Sequence, residues 1–461
     1  MPIKRWAFEA AAIAVAVAML GFFISRTVYV HGNAMPSGQP FFGDYMAFWS
    51  AGRAALDGHA HEIHERTMLW QVQQAIAPDV KFFAPWNSPP TFLMIVCVLA
   101  LLPYPVSAVF FLVSTLVLFG FAIRRFLPDA RALILPFTSP TVLYQTATVQ
   151  AGMLIAGVNG LAIRWLDKRP HLAGALIGFL AIKPHIALLW PLFLALSGRW
   201  RVFMSAAVAA LTFVVMAGLM FGFDTYLNWF ESLNYSQRLI SEQRITTPAY
   251  ASLYANLLGL DAPQALAIGL HAVSAVAGII VACVVFRKGD VALGGAALCA
   301  ATLLVSPYLF FYDFTTLLVG AALLGAPRSP LDYAAAIFAW GAALSVALGQ
   351  YISLPICPLA AWLVLVTAFT RVKARPLSWR QRHSCKRAAE TGAGVNVDAA
   401  RIGVRSKVVG RRVTVHNDKA FEFGALRPAA GVEELLRARP HPHFVGAVGK
   451  RRRINAAVNE R

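Results

Sequence analysis

Between residues 7 and 370, apolar runs follow one another so closely that little polar sequence remains to clothe a water-soluble fold. A bilayer core is about 30 Å thick and takes about 20 helical residues to cross. Runs at 7–25, 106–123, 203–222, 263–286, 309–326, 331–348 and 354–370 approach that length, while 89–102, 148–165, 171–182, 185–197 and 291–305 are shorter or interrupted. Only 14% of the residues are charged, against about 25% in a soluble domain. With 58% hydrophobic residues, lipid is the solvent this chain suits. The expected fold class is all-α, a polytopic transmembrane helical bundle of about 10–12 spanning helices.

The net charge of +19 invites a nucleic-acid reading until it is located. Residues 371–461 hold 21 Lys/Arg against 7 Asp/Glu, which puts 14 of the 19 charges in the last fifth of the chain. The expected domains are therefore a transmembrane domain, 1–374, and a basic cytoplasmic tail, 375–461. The tail has no spanning run and little periodicity, so it is expected to be disordered. Its composition also fits an altered reading frame. The remaining positive charge reads as topology, because Lys and Arg are retained on the cytoplasmic side. Lys4/Arg5, Lys168/Arg169, Arg199/Arg201, Arg287/Lys288, Arg328 and Arg371/Lys373 share one side if both termini are cytoplasmic. Residues 31–88 and 223–261 then form two outer loops. Arg124/Arg125 break the pattern, which means either a miscounted short span or a polar site facing them. The first run lacks a good cleavage site and reads as an uncleaved helix.

Residues 44–74 alternate apolar and polar with helical spacing, as an amphipathic helix at the membrane interface would, with Trp49, Trp70 and Trp86 at headgroup depth. Residues 131–146, carrying Pro136 and Pro140, suggest a partial or re-entrant piece. The short interrupted runs are expected to line a cleft, since irregular backbone at membrane depth is tolerated only against protein or water.

Candidate chemistry is sparse. Asp44 follows a Phe-Phe-Gly turn and reads either as a helix cap or as a general base at the water–membrane boundary. Lys183-Pro184-His185 interrupts a long apolar run. Lys183 either snorkels from a helical hairpin or captures an anionic headgroup, a lipid phosphate above all. Tyr312-Asp313 stands at the outer end of a span, as a cap or as part of a site. His59, His61 and His64 have poor spacing for a helical metal site and no completing acid, so no metal is assigned. The five cysteines form no CxxC pair. No phosphate-cradling loop or dinucleotide fingerprint is present, and no cofactor is expected.

Four blocks, in order, carry a resemblance: GDYMAFWSAGRAALDG, NSPPTFLMIVCVLALLPYPVS, IGFLAIKPHIALLWPLFLALSGRW and SPYLFFYDFTTLL. From about Asp44 to about Leu324 the chain resembles glycosyltransferase family 87, bacterial polyprenyl-phosphate-mannose-dependent mannosyltransferases of the GT-C superfamily. The resemblance implies a GT-C-type bundle in the bacterial inner membrane. It implies transfer of a hexose, mannose in this family, from a polyprenyl-phosphate donor to a hydroxyl of a lipid or glycan acceptor on the outer face, with inversion and without a metal. Asp44 would be the catalytic base. Lys183 is the candidate for stabilising the leaving phosphate, with His185 beside it, and Tyr312 and Asp313 would shape the pocket. The family's Gly-Gln pair before the fourth span appears here as Val149-Gln150, which assigns Gln150 to the pocket without its glycine. Its aromatic-Pro-Pro block appears as Ser88-Pro89-Pro90.

A transporter or flippase for a lipid-linked or small anionic solute is the rival reading, since transporters also bind at broken helices. Related halves, which transporters often show, are not evident. A third reading, a scaffold whose basic tail docks on anionic lipid, leaves Asp44 and the Lys-Pro-His break unused.

Overall fold

The computed structural model describes residues 5–27, 30, 32–241, 250–345, 355–373, 404–409 and 412–417. Lys4, residues 242–249 of the second outer loop, residues 346–354, Cys385 and most of the tail lie outside them. The chain divides into two units, residues 1–372 and 373–461.

The first unit is helical throughout. Its helices are α1 (Arg5–Thr27), α2 (Tyr45–Leu56), α3 (Arg66–Ile76), α4 (Pro90–Leu99), α5 (Tyr104–Arg124), α6 (Ile134–Phe137), α7 (Pro140–Thr148), α8 (Gly152–Trp165), α9 (Pro170–Phe179) and α10 (Pro184–Ala187). They continue with α11 (Trp190–Leu196), α12 (Trp200–Phe221), α13 (Asp224–Ser241), α14 (Leu253–Leu258), α15 (Gln264–Lys288), α16 (Val291–Val305), α17 (Thr315–Leu324), α18 (Pro330–Gly341) and α19 (Ile356–Lys373). Among the described residues, α1, α5, α12, α15 and α19 are long and apolar enough to cross a membrane, and five shorter apolar segments accompany them. The first unit is an all-α membrane helical bundle.

Small residues bring the helices together. A Cβ on Gly174 or Gly178 of α9 would stand 2.5 Å from Ser205 or Ala209 of α12. Two small residues four apart on each helix thus allow close backbone approach, the means by which helices associate where lipid supplies no hydrophobic drive. Gly157 of α8 meets Leu118 of α5 in the same way.

Three ion pairs lie at one end of the bundle. Arg131 reaches Glu9 at 3.6 Å, Arg199 reaches Asp167 at 3.1 Å and Arg371 reaches Asp332 at 3.0 Å. Arg124 and Arg125 belong to this end too, which removes their disagreement with the charge rule. The 89–102 run does not cross: α4 is ten residues, about 15 Å of helix. Beyond it, Leu102 accepts a bond from Trp49 Nε1, and Tyr104 packs on Tyr45 and Phe42. Both ends of α4 therefore lie beside the first outer loop, and α5 runs from there to the basic end.

Two other expectations change. The 309–326 run is interrupted at its start, where a 3-10 turn, Phe311–Phe314, precedes α17. The Phe310 amide donates to the Asp313 side chain at 3.1 Å. Residues 44–74 are two helices, α2 and α3, and α2 is packed inside protein, with eight of its twelve residues buried. A Cβ on Gly52 would lie 2.3 Å from the Val96 carbonyl oxygen. Trp86 is a core residue stacked on Phe92 at 5.7 Å, far from the headgroup role expected of it. The 131–146 segment is broken as its prolines predict, into a 3-10 turn at Arg131–Leu133, then α6 and α7.

The described part of the second unit is a hairpin, β1 (Val404–Val409) and β2 (Arg412–Asn417), antiparallel with Val404 opposite Asn417. Sequence periodicity did not point to it.

Candidate functional site

Three helix interruptions meet the first outer loop at the end opposite Arg131, Arg199 and Arg371. They are Val149–Ala151 between α7 and α8, Lys183 before α10, and the turn from Pro307 to Phe314. The loop reaches them through Gly43, whose φ of +55° suits glycine and whose Cβ, if present, would lie 2.8 Å from Thr148 Cα. That turn delivers Asp44 to the α7–α8 break.

Asp44 holds the N-cap position of α2, yet its side chain makes no capping bond. It accepts from Gln150 Nε2 at 2.8 Å instead. The capping explanation therefore does not account for this carboxylate. Asp44 keeps an accessible surface while protein crowds around it. Loss of solvation lifts its pKa above the ordinary value, opposed by the Gln150 bond and the Lys183 charge.

Gln150 is held from several sides. Its Oε1 accepts from the Ala151 amide at 3.2 Å, which turns the NH2 group toward Asp44. Its carbonyl accepts from Gln145 Nε2 at 3.0 Å. Gln145 Oε1 in turn accepts from the Thr315 hydroxyl at 2.7 Å. A Cβ on Gly152 would meet the Tyr312 carbonyl oxygen at 2.3 Å, so the α8 start and the Tyr312 turn are in direct backbone contact. Val149 sits at φ 48°, ψ 50°, the left-handed region. That conformation costs an L-residue about 1–2 kcal/mol. This chain thus holds a buried valine in a conformation that suits glycine.

Lys183 precedes Pro184, and the proline keeps it out of the helical region, at φ −146°, ψ 72°. Its ammonium pairs with Asp313, which is buried. It also stands 4.6 Å from the Tyr312 ring centroid. His185 Nε2 lies 3.9 Å from Asp313 Oδ2, too far for a hydrogen bond. Asp44 and Asp313 both act electrostatically on the Tyr312 hydroxyl. The six residues singled out in the sequence, Asp44, Gln150, Lys183, His185, Tyr312 and Asp313, therefore gather in one region. Lys183 is not a free cation, since Asp313 already balances it.

Aromatic rings form a wall that the sequence did not disclose. Phe310 lies parallel to Tyr312 at 5.1 Å and packs on Tyr250 at 4.5 Å. The Ala251 amide donates to the Leu309 carbonyl at 2.8 Å, pinning the second outer loop to this turn. Gln145 and Thr315 were also missed. A lone amide in the apolar α7 was the available signal for Gln145, whereas Phe310 and Tyr250 had none. The loop histidines diverge. His59 faces Glu62 at 3.2 Å, while His64 meets the Trp86 carbonyl at 3.2 Å.

Comparison with known proteins gives one match. The family model described as glycosyltransferase family 87 matches residues 86–307. The match includes Gln150, Lys183 and His185 and leaves Asp44, Tyr312 and Asp313 outside its bounds. No curated protein and no solved structure matches the chain.

Proposed function

From the match of residues 86–307 to the glycosyltransferase family 87 model, we propose that the chain transfers a hexose, mannose first among them, from a polyprenyl-phosphate donor. The acceptor is a hydroxyl of a lipid or glycan. The reaction takes place at the bundle end away from the arginines, which the charge rule assigns to the outer face of a bacterial inner membrane.

The carrying observation is a carboxylate that no helix cap consumes, accessible, oriented by Gln150 and within the field of Lys183. In the proposed step the acceptor oxygen attacks C1, and Asp44 takes its proton. The new O–C1 bond forms as the bond from C1 to the phosphate oxygen breaks, and the electron pair leaves on polyprenyl phosphate. Attack opposite the leaving group inverts C1. Lys183, with two N–H donors beyond the one directed at Asp313, and His185 stabilise the charge that develops on the phosphate. Ion pairing makes Asp313 the poorer base and suits it to holding Lys183 in place. The Phe310–Tyr312–Tyr250 rings offer a face on which a sugar ring can stack.

The donor is tested by supplying labelled mannose on polyprenyl phosphate and, separately, on a nucleotide diphosphate to the purified protein with a membrane lipid extract. Product from the lipid-linked donor alone is expected. Product from the nucleotide sugar alone would overturn the donor assignment.

A further inference from the structure

The basic end of the bundle holds an adjacent pair of cations that the transfer reaction does not use. We propose that Arg124 and Arg125 form a second ligand site, one that binds the phosphate headgroup of an anionic phospholipid on the face opposite the candidate active site. An open surface cavity of about 460 Å³ lies against them, lined also by Gly120, Phe121 and Leu133.

Both guanidiniums are fixed in place without being neutralised. The Arg125 guanidinium lies 4.3 Å from the Phe121 ring centroid. Arg124 Nη1 donates to the Leu127 carbonyl at 3.0 Å, which leaves the other N–H donors of its planar fork available. Among the described residues no carboxylate pairs with either one. Nearby acids are engaged elsewhere, Glu9 with Arg131 and Asp129 with the Ala132 amide at 2.8 Å. Two other arginines at this end are balanced by acids, Arg199 by Asp167 and Arg371 by Asp332. Two adjacent, oriented guanidiniums beside a cavity suit a phosphate oxygen pair.

The neighbouring surface selects a lipid over a free anion. Val106, Phe110, Val113, Val117 and Phe121 are all exposed at three- and four-residue spacing along α5. They form a continuous apolar stripe that ends at the arginines, the shape and chemistry an acyl chain requires. Gly120, which also lines the cavity, packs so closely on Phe137 that a Cβ there would come within 3.0 Å of that ring. Basic pockets between membrane helices on the cytoplasmic side are a recognised mode of headgroup binding.

The test uses the full chain in detergent micelles, with bound lipid counted by native mass spectrometry and the thermal midpoint followed in parallel. Phosphatidylglycerol is expected to be retained and to raise the midpoint, and phosphatidylcholine to do neither. Arg124→Gln/Arg125→Gln is expected to weaken phosphatidylglycerol binding at least tenfold, and Lys168→Gln/Arg201→Gln, at the same end, to leave it unchanged. Arg124→Lys/Arg125→Lys keeps both charges while removing the planar forks and is expected to weaken binding less than the glutamine pair, so the site remains testable if that double variant folds poorly. Equal retention of phosphatidylcholine, or equal weakening by the Lys168/Arg201 control, would overturn the proposal. Displacement of the lipid by millimolar inorganic phosphate would overturn its lipid assignment in favour of a free-anion site.

Discussion

Gln150 donates to the Asp44 carboxylate across 2.8 Å, joining the first outer loop to the α7–α8 break 106 residues away. The bond orients the proposed base and favours its charged form. Gln150→Leu is expected to cost about 1.5–3 kcal/mol of that stabilisation and to raise the pKa of Asp44 further. Transfer should then fall roughly 10- to 100-fold, with the acid limb of the pH–rate profile moved to higher pH. A uniform loss at every pH would place Gln150 in another role.

Solvation loss raises the Asp44 pKa, so the base is protonated at a pH where an ordinary aspartate is not. Activity should decline on acidification at a pH above the usual aspartate value of about 3.9. The same shift bears on stability. A carboxyl whose folded pKa exceeds its unfolded value stabilises the fold below the unfolded pKa, and that contribution is lost as pH rises through the folded one. Asp44→Asn should accordingly unfold at the same or a higher temperature than wild type at neutral pH.

His64 gives a second pH handle with the opposite sign. Burial lowers its pKa to about 4, against the pull of the Trp86 carbonyl. The folded chain binds this proton less well than the unfolded one, so stability is lost as pH falls from about 6.5 toward 4. His64→Gln should flatten the thermal midpoint over that window. A slope identical to wild type would assign the acid sensitivity to other groups.

Lys183 and Asp313 form an ion pair in which Asp313 is buried. Removing one partner of such a pair typically costs about 3–5 kcal/mol, because the other charge stays behind in low dielectric. Lys183→Met should destabilise strongly and Lys183→Met/Asp313→Leu much less. Both should lack transfer activity. Thermal unfolding of the two single variants and the double one measures the coupling, and additive losses would contradict a strong pair.

Gly152 carries its hydrogen against the Tyr312 carbonyl oxygen. Gly152→Ala forces apart the two turns that bring Gln150 and Asp313 into one region, at a cost of at least about 1–3 kcal/mol. Its transfer activity should drop further than its thermal midpoint implies. An active, equally stable variant would mean that this contact does not set the site.

Much of this architecture was readable from hydrophobic run length. The bounds of α16 match the expected 291–305 run, and α1, α5, α12, α15 and α19 differ from theirs by a few residues. The 89–102 run misled because apolarity measures burial as well as membrane depth. Its helix buries seven of ten residues against the loop and the bundle. Trp86 misled likewise, since an aromatic in an outer loop can as readily be core. The polar residues at breaks, Asp44 and Lys183, stood out as charges in apolar surroundings, each with a local reading, cap or snorkel, beside the functional one. Gln145 and Thr315 did not, since their pairing spans 170 residues and leaves no short-range pattern.

The central claim is that Asp44 is the base of a polyprenyl-phosphate sugar transfer. Its most direct test compares wild type with Asp44→Asn, which preserves shape and can still accept from Gln150. The substrates are labelled polyprenyl-phosphate mannose and a membrane lipid extract, and equal membrane insertion is checked for both proteins. Loss of general base catalysis is worth about 10²–10⁴-fold, so a fall of at least about a hundredfold is expected in the variant. Equal transfer by both proteins would contradict the role of Asp44, and no transfer by folded wild type would contradict the donor.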